Sequence, residues 1–303
     1  MMPQLDAVDD REAAFLAAID ALPDSYDGPD GVRPEPYGLI AFGEAANLPA
    51  LLRPWIDAPL VTRGTQFLTA TGFDFGELGP LKITSEMSGA EVVTLGSRTY
   101  EPDVQVATSP FSVYTVGCYL GYATDHGDAV EEINSALRAI AGRCRAQVPT
   151  EDNPAKALAW TLWNRVPLLL ASRSNSAAQP LVQRVFARIG KSLAISSGEH
   201  PLEFASGALE GNHALGDDLL ALVVGSDDRE TELARQVLST RVAQVENLDL
   251  AEVLTEPPVD PVVAGMALWY LSLWVAAYLA ILHGHDPADS GVYDEVRKVA
   301  QGG

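Results

Sequence analysis

One apolar stretch, residues 261–287, limits what this chain can fold into. About twenty apolar residues follow one another there, and no charge lies between Asp260 and Asp286. This length suits a helix that spans a membrane or a helix that is buried inside a protein. Acidic residues at both ends give no basic side to orient a membrane span, and Ser272 and Tyr278 interrupt the apolar run. We therefore predict a buried helix that forms an interface, and no membrane association.

The bulk composition indicates a folded globular protein that does not bind nucleic acid. The chain has 303 residues, of which 47% are hydrophobic and 20% charged, which is enough for one large or two medium domains. Its formal net charge of −21 would repel the phosphates of DNA or RNA. An anionic substrate must therefore be held by a few local basic groups or by helix N-termini.

Cysteine content and the N-terminus both favour a cytoplasmic location. Cys118 and Cys144 lie in apolar helical patterns, which predicts two buried, reduced thiols. The first ten residues are acidic and lack the basic and apolar regions of a signal peptide.

Short apolar runs alternate with helical patterns through the first half of the chain, which predicts a parallel sheet covered on both faces. The predicted strands are 37–42, 59–62, 90–95 and 104–107, and the predicted helices are 6–22, 45–53, 111–123 and 127–146.

The same alternation restarts after a linker at 147–153. The predicted strands are 166–171, 192–196, 219–225 and 242–246, and the predicted helices are 154–163, 177–189, 200–208, 227–240 and 290–300. The fold class is therefore α/β, with two three-layer halves of similar plan and the long apolar helix. We place the domains at residues 1–30 (helix and loop), 31–149 and 150–303.

Two turns at the ends of predicted strands are candidates for anion binding. Gly43 ends the strand at 37–42 and precedes a helix, a geometry that presents backbone N–H groups to a phosphate. Glu44 would repel a phosphate, so an ordinary strand–helix turn is the alternative. The second turn follows strand 166–171, at the carboxyl end where open α/β sheets bind ligands, and an ordinary capped turn is again the alternative. Its polar side chains are Ser172, Arg173, Ser174 and Asn175.

The histidines do not form a metal-binding set, and no catalytic serine or cysteine motif is present. His283 and His285 are too close in sequence to share a helix face, and no cysteine lies near them. His213 follows Asn212 in a predicted loop before strand 219–225, so it is either an ordinary loop histidine or a functional one. We predict neither a metal nor another cofactor.

Several runs of residues nevertheless occur in an order that resembles a known family, the bacterial and archaeal bifunctional phosphoglucose/phosphomannose isomerases of the SIS (sugar isomerase) superfamily. The runs are 153–159 (Asn-Pro-Ala-Lys-Ala-Leu-Ala), 165–167 (Arg-Val-Pro), 212–213 (Asn-His), 278–287 (Tyr-Leu-Ala-Ile-Leu-His-Gly-His-Asp-Pro) and, more weakly, 89–96 (Gly-Ala-Glu-Val-Val-Thr-Leu-Gly). The resemblance implies two SIS domains, the first of them degenerate here, and a homodimer with the long helix at its interface.

The resemblance also implies metal-free aldose–ketose isomerisation of a hexose 6-phosphate. In this chemistry a carboxylate moves a proton between C1 and C2, a histidine assists ring opening and an arginine stabilises the enediolate. His213 matches the ring-opening histidine of the family. If Arg188 is placed on the arginine before the catalytic glutamate, the positions for Asn and Glu hold Ala194 and Ile195, so Glu199 is the nearest replacement.

Other parts of the family site are replaced in this sequence. The enediolate arginine of a Gln-Pro-Arg segment corresponds to Phe111, and no Ser-Tyr-Ser-Gly-Asn-Thr phosphate loop occurs between Arg63 and Gly89. The Gly-Gly-Ser turn becomes Gly43-Glu44-Ala45, and a lysine near the end of the chain aligns with Arg297. Two functions follow: a divergent isomerase that uses His213, Glu199 and Arg297 or Arg173, or a non-catalytic SIS protein that binds a phosphosugar or a protein partner.

Overall fold

The computed structural model describes residues 5–72, 78–97, 101–198, 200–204, 209, 218–226, 228–291, 295 and 299. The chain divides into two compact units, each built on one sheet. The first-sheet unit comprises Asp24–Glu132 and Ser290–Gly303, and the second-sheet unit comprises Met1–Pro23 and Ile133–Asp289. This division differs from domain boundaries after residues 30 and 149, and side chains of the second half bind Asp6, Ile19 and Cys144.

The first sheet contains four parallel strands in the order β1-β2-β3-β4. Its strands are β1 (Tyr37–Gly43), β2 (Thr65–Thr71), β3 (Glu91–Gly96) and β4 (Val104–Gln105), and the helices along this part of the chain are α2 (Leu48–Leu51), α3 (Leu78–Ser88), α4 (Ser112–Ala123) and α5 (Gly127–Cys144). Sequence patterns placed β1, β3, β4, α4 and α5 to within a few residues.

The prediction of a strand at 59–62 was wrong, and the sequence patterns missed β2 and α3. The amide of Gln66, a β2 residue, binds this segment instead: its Oε1 accepts from Val61 N at 3.0 Å and its Nε2 donates to Pro59 O at 3.1 Å. The backbone of this segment therefore binds the Gln66 side chain, and residues 59–61 do not pair with another strand. The predicted helix at 45–53 contracts to the single turn of α2.

The second sheet is also parallel, with the order β6-β5-β7-β8. Its strands are β5 (Val166–Ala171), β6 (Ile195–Ser196), β7 (Leu219–Val224) and β8 (Gln244–Leu248), and the helices of this unit include α1 (Asp10–Asp20), α6 (Pro154–Leu162), α7 (Gln179–Arg188), α8 (Arg229–Leu238) and α9 (Pro261–Leu282). The α/β class with two parallel sheets is thus confirmed. The strand at 192–196 is shorter than predicted, and β8 lies about two residues later than predicted.

Two predicted helices fall largely outside the described residues. Of the helix at 200–208, the described part contains the 3-10 helix Pro201–Glu203, and residues 205–208 lie outside it. Most of the predicted helix at 290–300 also lies outside the described residues. So does Asp227, the first residue of the predicted helix that the structure shows as α8.

The long apolar stretch forms α9, which is buried inside the chain. The helix is long and apolar enough to cross a membrane, but 94% of its most apolar 18-residue window is buried by protein. Tyr270 Oη donates to Ile19 O at 2.8 Å, and Tyr278 Oη donates to Cys144 O at 2.6 Å. These two tyrosine hydroxyls thus bind inside the second-sheet unit. This packing agrees with a buried helix, and it accounts for the apolar length without a second subunit.

Both cysteines are buried and free, as the sequence predicts. Burial raises the pKa of Cys118 and of Cys144 to about 12. Both thiols are therefore protonated near neutral pH and are poor nucleophiles.

Candidate functional site

The candidate loop at 172–176 lies at the point where the strand order of the second sheet reverses. β5 has β6 on one side and β7 on the other, so the connections after β5 and β7 leave the sheet in opposite directions. Open α/β sheets bind ligands in the crevice that forms at such a point. The residues that follow β7 here are Gly225, Ser226 and, after one further residue, Asp228.

The polar side chains of this loop bind one another. Ser172 Oγ lies 2.9 Å from Ser174 Oγ and accepts from Asn175 Nδ2 at 2.9 Å. Ser176 Oγ donates to Arg173 O at 3.0 Å. An anion would have to replace these hydrogen bonds in order to bind here.

Acidic side chains at the start of α8 also contact the loop: the N-cap residue Asp228 and Glu230. Arg173 N donates to Asp228 Oδ2 at 3.3 Å, and the Arg173 guanidinium, whose side chain is 83% exposed, lies 3.9 Å from Glu230. Burial acts to raise the pKa of Asp228, but hydrogen bonds from Thr231 and from the Arg173 amide outweigh burial and leave that pKa below its usual range. The carboxylate is therefore charged near neutral pH, and it occupies the amide that an anion would need.

The loop after β5 and the loop after β7 can approach each other closely because residue 225 is a glycine. Gly225 has a φ of +78°, and a Cβ at this position would lie 2.4 Å from Asn175 Nδ2. Its own amide donates to Leu248 O at 2.9 Å. The crevice is thus filled at this level by the Asn175 side chain.

The turn after β1 has its amides engaged as well. Glu44 N donates to Thr71 O at 2.9 Å, Ala45 N donates to Thr71 Oγ1 at 3.0 Å and Ala46 N donates to Gly43 O at 3.2 Å. The following α2 has only four residues, so it offers little of the positive end of a helix dipole. This is the arrangement of an ordinary strand–helix turn.

A small cavity in the first-sheet unit combines the ends of two strands with the start of a helix. Its volume is about 90 Å³. The lining residues come from β2, from β3 and the residue after it, from α3 and from the segment before β4: Ala70, Thr94, Leu95, Gly96, Ser97, Leu78, Gly79, Lys82 and Pro102. Sequence reasoning missed this site because it missed β2 and α3.

Polar groups in this cavity differ in how they are bound. Ser97 Oγ is buried and has no hydrogen-bond partner within the described ranges. Thr94 Oγ1 donates to Asp103 Oδ2 at 2.7 Å, and Thr94 N donates to the same oxygen at 2.8 Å. Burial acts to raise the pKa of Asp103, but the bonds from Thr94 and the charge of Lys82 lower that pKa overall. The Lys82 ammonium thus already acts on one anion at this edge of the sheet.

The three predicted catalytic residues, His213, Glu199 and Arg297, lie outside the described residues. Their roles stay predictions. Among the residues that the structure does describe, no group of three or more His, Cys, Asp or Glu side chains is arranged to hold a metal ion.

Comparison with known proteins identifies the family. Residues 15–125 match the phosphoglucose isomerase N-terminal domain, and residues 151–299 match the bacterial phospho-glucose isomerase C-terminal SIS domain. The crystal structure of a glucose-6-phosphate isomerase like protein from Thermus thermophilus is 30% identical, with a TM-score of 0.83 over 98% of this chain and 100% of that chain. This chain belongs to the phosphoglucose isomerase family. The resemblance found in the sequence is therefore confirmed, including its weaker first half.

A further relative agrees with this membership, and a more distant structure shares the fold. A bifunctional phosphoglucose/phosphomannose isomerase from Caldicellulosiruptor bescii is 28% identical over 131 residues, which are 43% of this chain and 36% of that relative. The match thus spans about a third of the relative's length. The C-terminal domain of glucosamine-fructose-6-phosphate aminotransferase from Francisella tularensis, at 12% identity and a TM-score of 0.56 over 93% of this chain and 97% of that one, shares the fold.

Proposed function

We propose that this phosphoglucose isomerase family member binds a hexose 6-phosphate and isomerises it weakly. The phosphoryl group would bind in the cavity of about 90 Å³ at the ends of β2 and β3. The observation that carries this proposal is the meeting, in one cavity, of the first turn of α3, Lys82 and the buried Ser97 Oγ.

Physical chemistry supports an anion in this cavity. The first amides of a helix lack intrahelical acceptors and carry the positive end of its dipole, and Leu78 and Gly79 supply these amides here. A water molecule occupies roughly 10–15 Å³ on a similar measure, so the cavity has room for a group of several heavy atoms. Lys82 would add the charge that a phosphate needs on a chain with a net charge of −21. Asp103 would compete with the phosphate for Lys82.

Weak turnover follows from what stands at the enediolate position. Where the resemblance expects an arginine, Phe111 begins the turn into α4, and its amide donates to Ser109 Oγ at 3.1 Å. Loss of one such cationic donor typically lowers kcat by about a hundredfold or more. The remaining roles would fall to Glu199 as base, His213 for ring opening and Arg297 or Arg173 as the cation, and we propose these assignments from the resemblance.

We expect replacement of Lys82 by methionine to weaken binding of fructose 6-phosphate by about tenfold or more, the lower end of the scale for losing one close charge pair. Isothermal titration calorimetry would measure this affinity. The control variant is Arg53→Met, which removes an exposed positive charge from the same unit outside the cavity. Fructose without its phosphate should bind wild type and Lys82→Met equally. Equal affinities of Lys82→Met and wild type for fructose 6-phosphate would place the phosphoryl group elsewhere.

Catalysis is tested separately from binding. In a coupled assay with glucose, fructose and mannose 6-phosphates, we expect slow turnover by the wild type that falls about a hundredfold in His213→Ala, the lower end for loss of an acid–base group. If the wild type binds the sugar phosphates but turns them over no faster than His213→Ala, the result would support the non-catalytic alternative. Absence of both binding and turnover would leave a protein-binding role.

Homodimerisation and a cytoplasmic location stay proposals that rest on the sequence. α9 is already buried inside the chain, so a dimer is not needed to cover it. Two turns also stay candidate contacts for the sugar: the turn at Gly43 and the loop that contains Ser172, Arg173, Ser174 and Asn175. Their internal hydrogen bonds mean that ligand binding there would require rearrangement.

A further inference from the structure

A second and larger cavity, of about 310 Å³, lies in the second-sheet unit. Its walls come from α6, from the edge strand β8, from the 3-10 helix Leu250–Glu252 and from α9. Ligand sites in proteins usually measure roughly 300–1,000 Å³ and combine apolar walls with a few polar groups. The volume is therefore enough for a small organic molecule.

One side of this cavity is apolar. Pro154, Ala157 and Leu158 of α6 line it, Ala157 exposed and the other two half-buried, whereas Leu271 and Val275 of α9, which also line it, are almost completely buried. Apolar surface of this kind gains about 25 cal/mol for each Å² that a ligand removes from water. The body of a suitable ligand is thus an alkyl or aromatic group.

The polar groups of the cavity are mostly acidic. Glu246, Asp249 and Glu252 line it, and no lysine, arginine or histidine does so among the lining residues that the structure describes. Asp249 Oδ1 accepts from Ala251 N at 3.1 Å, and Glu246 accepts from the Gln244 amide. A carboxylate has about four acceptor positions, so these bonds leave room for a donor from a ligand.

The position of the cavity also suits a ligand. Residues 246–249 form the carboxyl end of β8 and the start of the turn that follows it. Parallel sheets present their ligand sites at the carboxyl ends of their strands. The three carboxylates would repel a sugar phosphate, so this cavity calls for a ligand different from the one proposed above.

We propose that this cavity binds a small organic cation with an apolar body, of the arylalkylamine or alkylguanidine class. The ammonium or guanidinium group would lie against Glu246, Asp249 and Glu252, and the apolar body against Pro154, Ala157 and Leu158. The site is independent of the hexose phosphate cavity, which is lined by other residues in the first-sheet unit.

The test uses the full chain and three probes of one shape: 2-phenylethylammonium, the neutral 2-phenylethanol and the anionic phenylacetate. We expect saturable binding of the ammonium at millimolar concentration, at least about tenfold tighter than binding of the alcohol, because one close charge pair supplies at least this difference. Phenylacetate should not bind. Absence of saturable ammonium binding, or equal affinity for ammonium and alcohol, would overturn the proposal.

Variants locate the site and separate it from surface charge. Glu246→Gln should weaken ammonium binding by about tenfold, because it removes one close charge pair. Glu256→Gln, which removes an exposed acidic charge that does not line the cavity, should leave this binding unchanged. Ala157→Phe fills the cavity from an exposed helix position and should abolish binding without a change in Tm. Equal effects of Glu246→Gln and Glu256→Gln would mean that the cation senses only the net charge of the chain.

Discussion

Replacement of Lys156 by methionine is expected to lower the free energy of unfolding by about 3 kcal/mol, because two partly buried carbonyl oxygens lose their donor at about 1–3 kcal/mol each and the ion pair with the half-exposed Asp6 is lost. The Lys156 side chain is completely buried and donates to Asp6 Oδ1 at 2.7 Å, Ala146 O at 2.9 Å and Val148 O at 2.8 Å. Methionine has a similar length but no donor, so it leaves both carbonyls without this partner. Chemical denaturation monitored by tryptophan fluorescence would measure the change.

The expected loss of stability is large because several segments of the second-sheet unit meet around Lys156. Asn153 Nδ2 and Tyr278 Oη both donate to Cys144 O, at 2.9 and 2.6 Å, so the end of α5 is held from α9 and from the N-cap of α6. The Lys156 ammonium also lies 5.5 Å from the centre of the Tyr278 ring, within the range of a cation–π interaction. Loss of the ammonium thus weakens contacts within the second-sheet unit that involve the N-terminal segment, α5, α6 and α9.

The dependence of stability on pH provides an independent check. A hydrogen bond from Lys156 lowers the pKa of Asp6 below its ordinary value of 3.8, against an opposing effect of burial. The stabilisation from Asp6 is therefore present above the unfolded-state pKa and is lost as the pH falls through the lower folded-state pKa. Asp6→Asn should remove this dependence, and Arg11→Met should leave it intact. If Lys156→Met had the same free energy of unfolding as the exposed-site control Arg11→Met, the hydrogen bonds and ion pair of Lys156 would make no net contribution to stability.

Sequence patterns predicted the second sheet well because its strands are continuous apolar runs. β5 and β7 are almost entirely Leu, Val and Ala, and all six residues of β7 are buried. A strand covered on both faces needs such a run, and its residues carry the signal directly.

β2 was not predicted because four of its seven residues are Thr or Gln, although every one of the seven is buried. Gln66 becomes acceptable inside because its amide binds Pro59, Val61 and Phe67. These partners are visible only once the chain is folded. The apolar run at residues 59–62 therefore gave the stronger strand signal, although the Gln66 side chain binds Pro59 and Val61 there in a loop.

The candidate sites show the same limit. The loop at 172–176 was found because polar residues follow a buried strand. Its acidic neighbour Asp228 lies 55 residues away from Arg173 in the chain, so the conflict with anion binding could not be read from the local sequence. The cavity beside Lys82 depends on β2 and α3, and both elements had been missed.

Replacement of Gly43 by alanine is expected to destabilise the protein by about 3 kcal/mol. Gly43 has a φ of +70°, which costs an L-residue about 1–2 kcal/mol. A Cβ there would lie 2.4 Å from Thr71 O and 2.6 Å from Thr71 C, which are backbone atoms of the neighbouring strand. To relieve this overlap, the ends of β1 and β2 would have to separate. Glu44 N donates to Thr71 O at 2.9 Å at this point. The rest of the expected destabilisation is the loss of this hydrogen bond and of nearby packing.

The matched control for this substitution is Gly31→Ala, because Gly31 is exposed and a Cβ there would have no atom within 4 Å. We expect chemical denaturation to show a change near zero for Gly31→Ala and a clear loss for Gly43→Ala. The same pair of variants separates the two roles considered for Gly43. A loss of stability with unchanged fructose 6-phosphate affinity would assign the glycine to the junction of β1 and β2. Full stability with reduced affinity would contradict the packing argument and return this turn to the sugar-binding site.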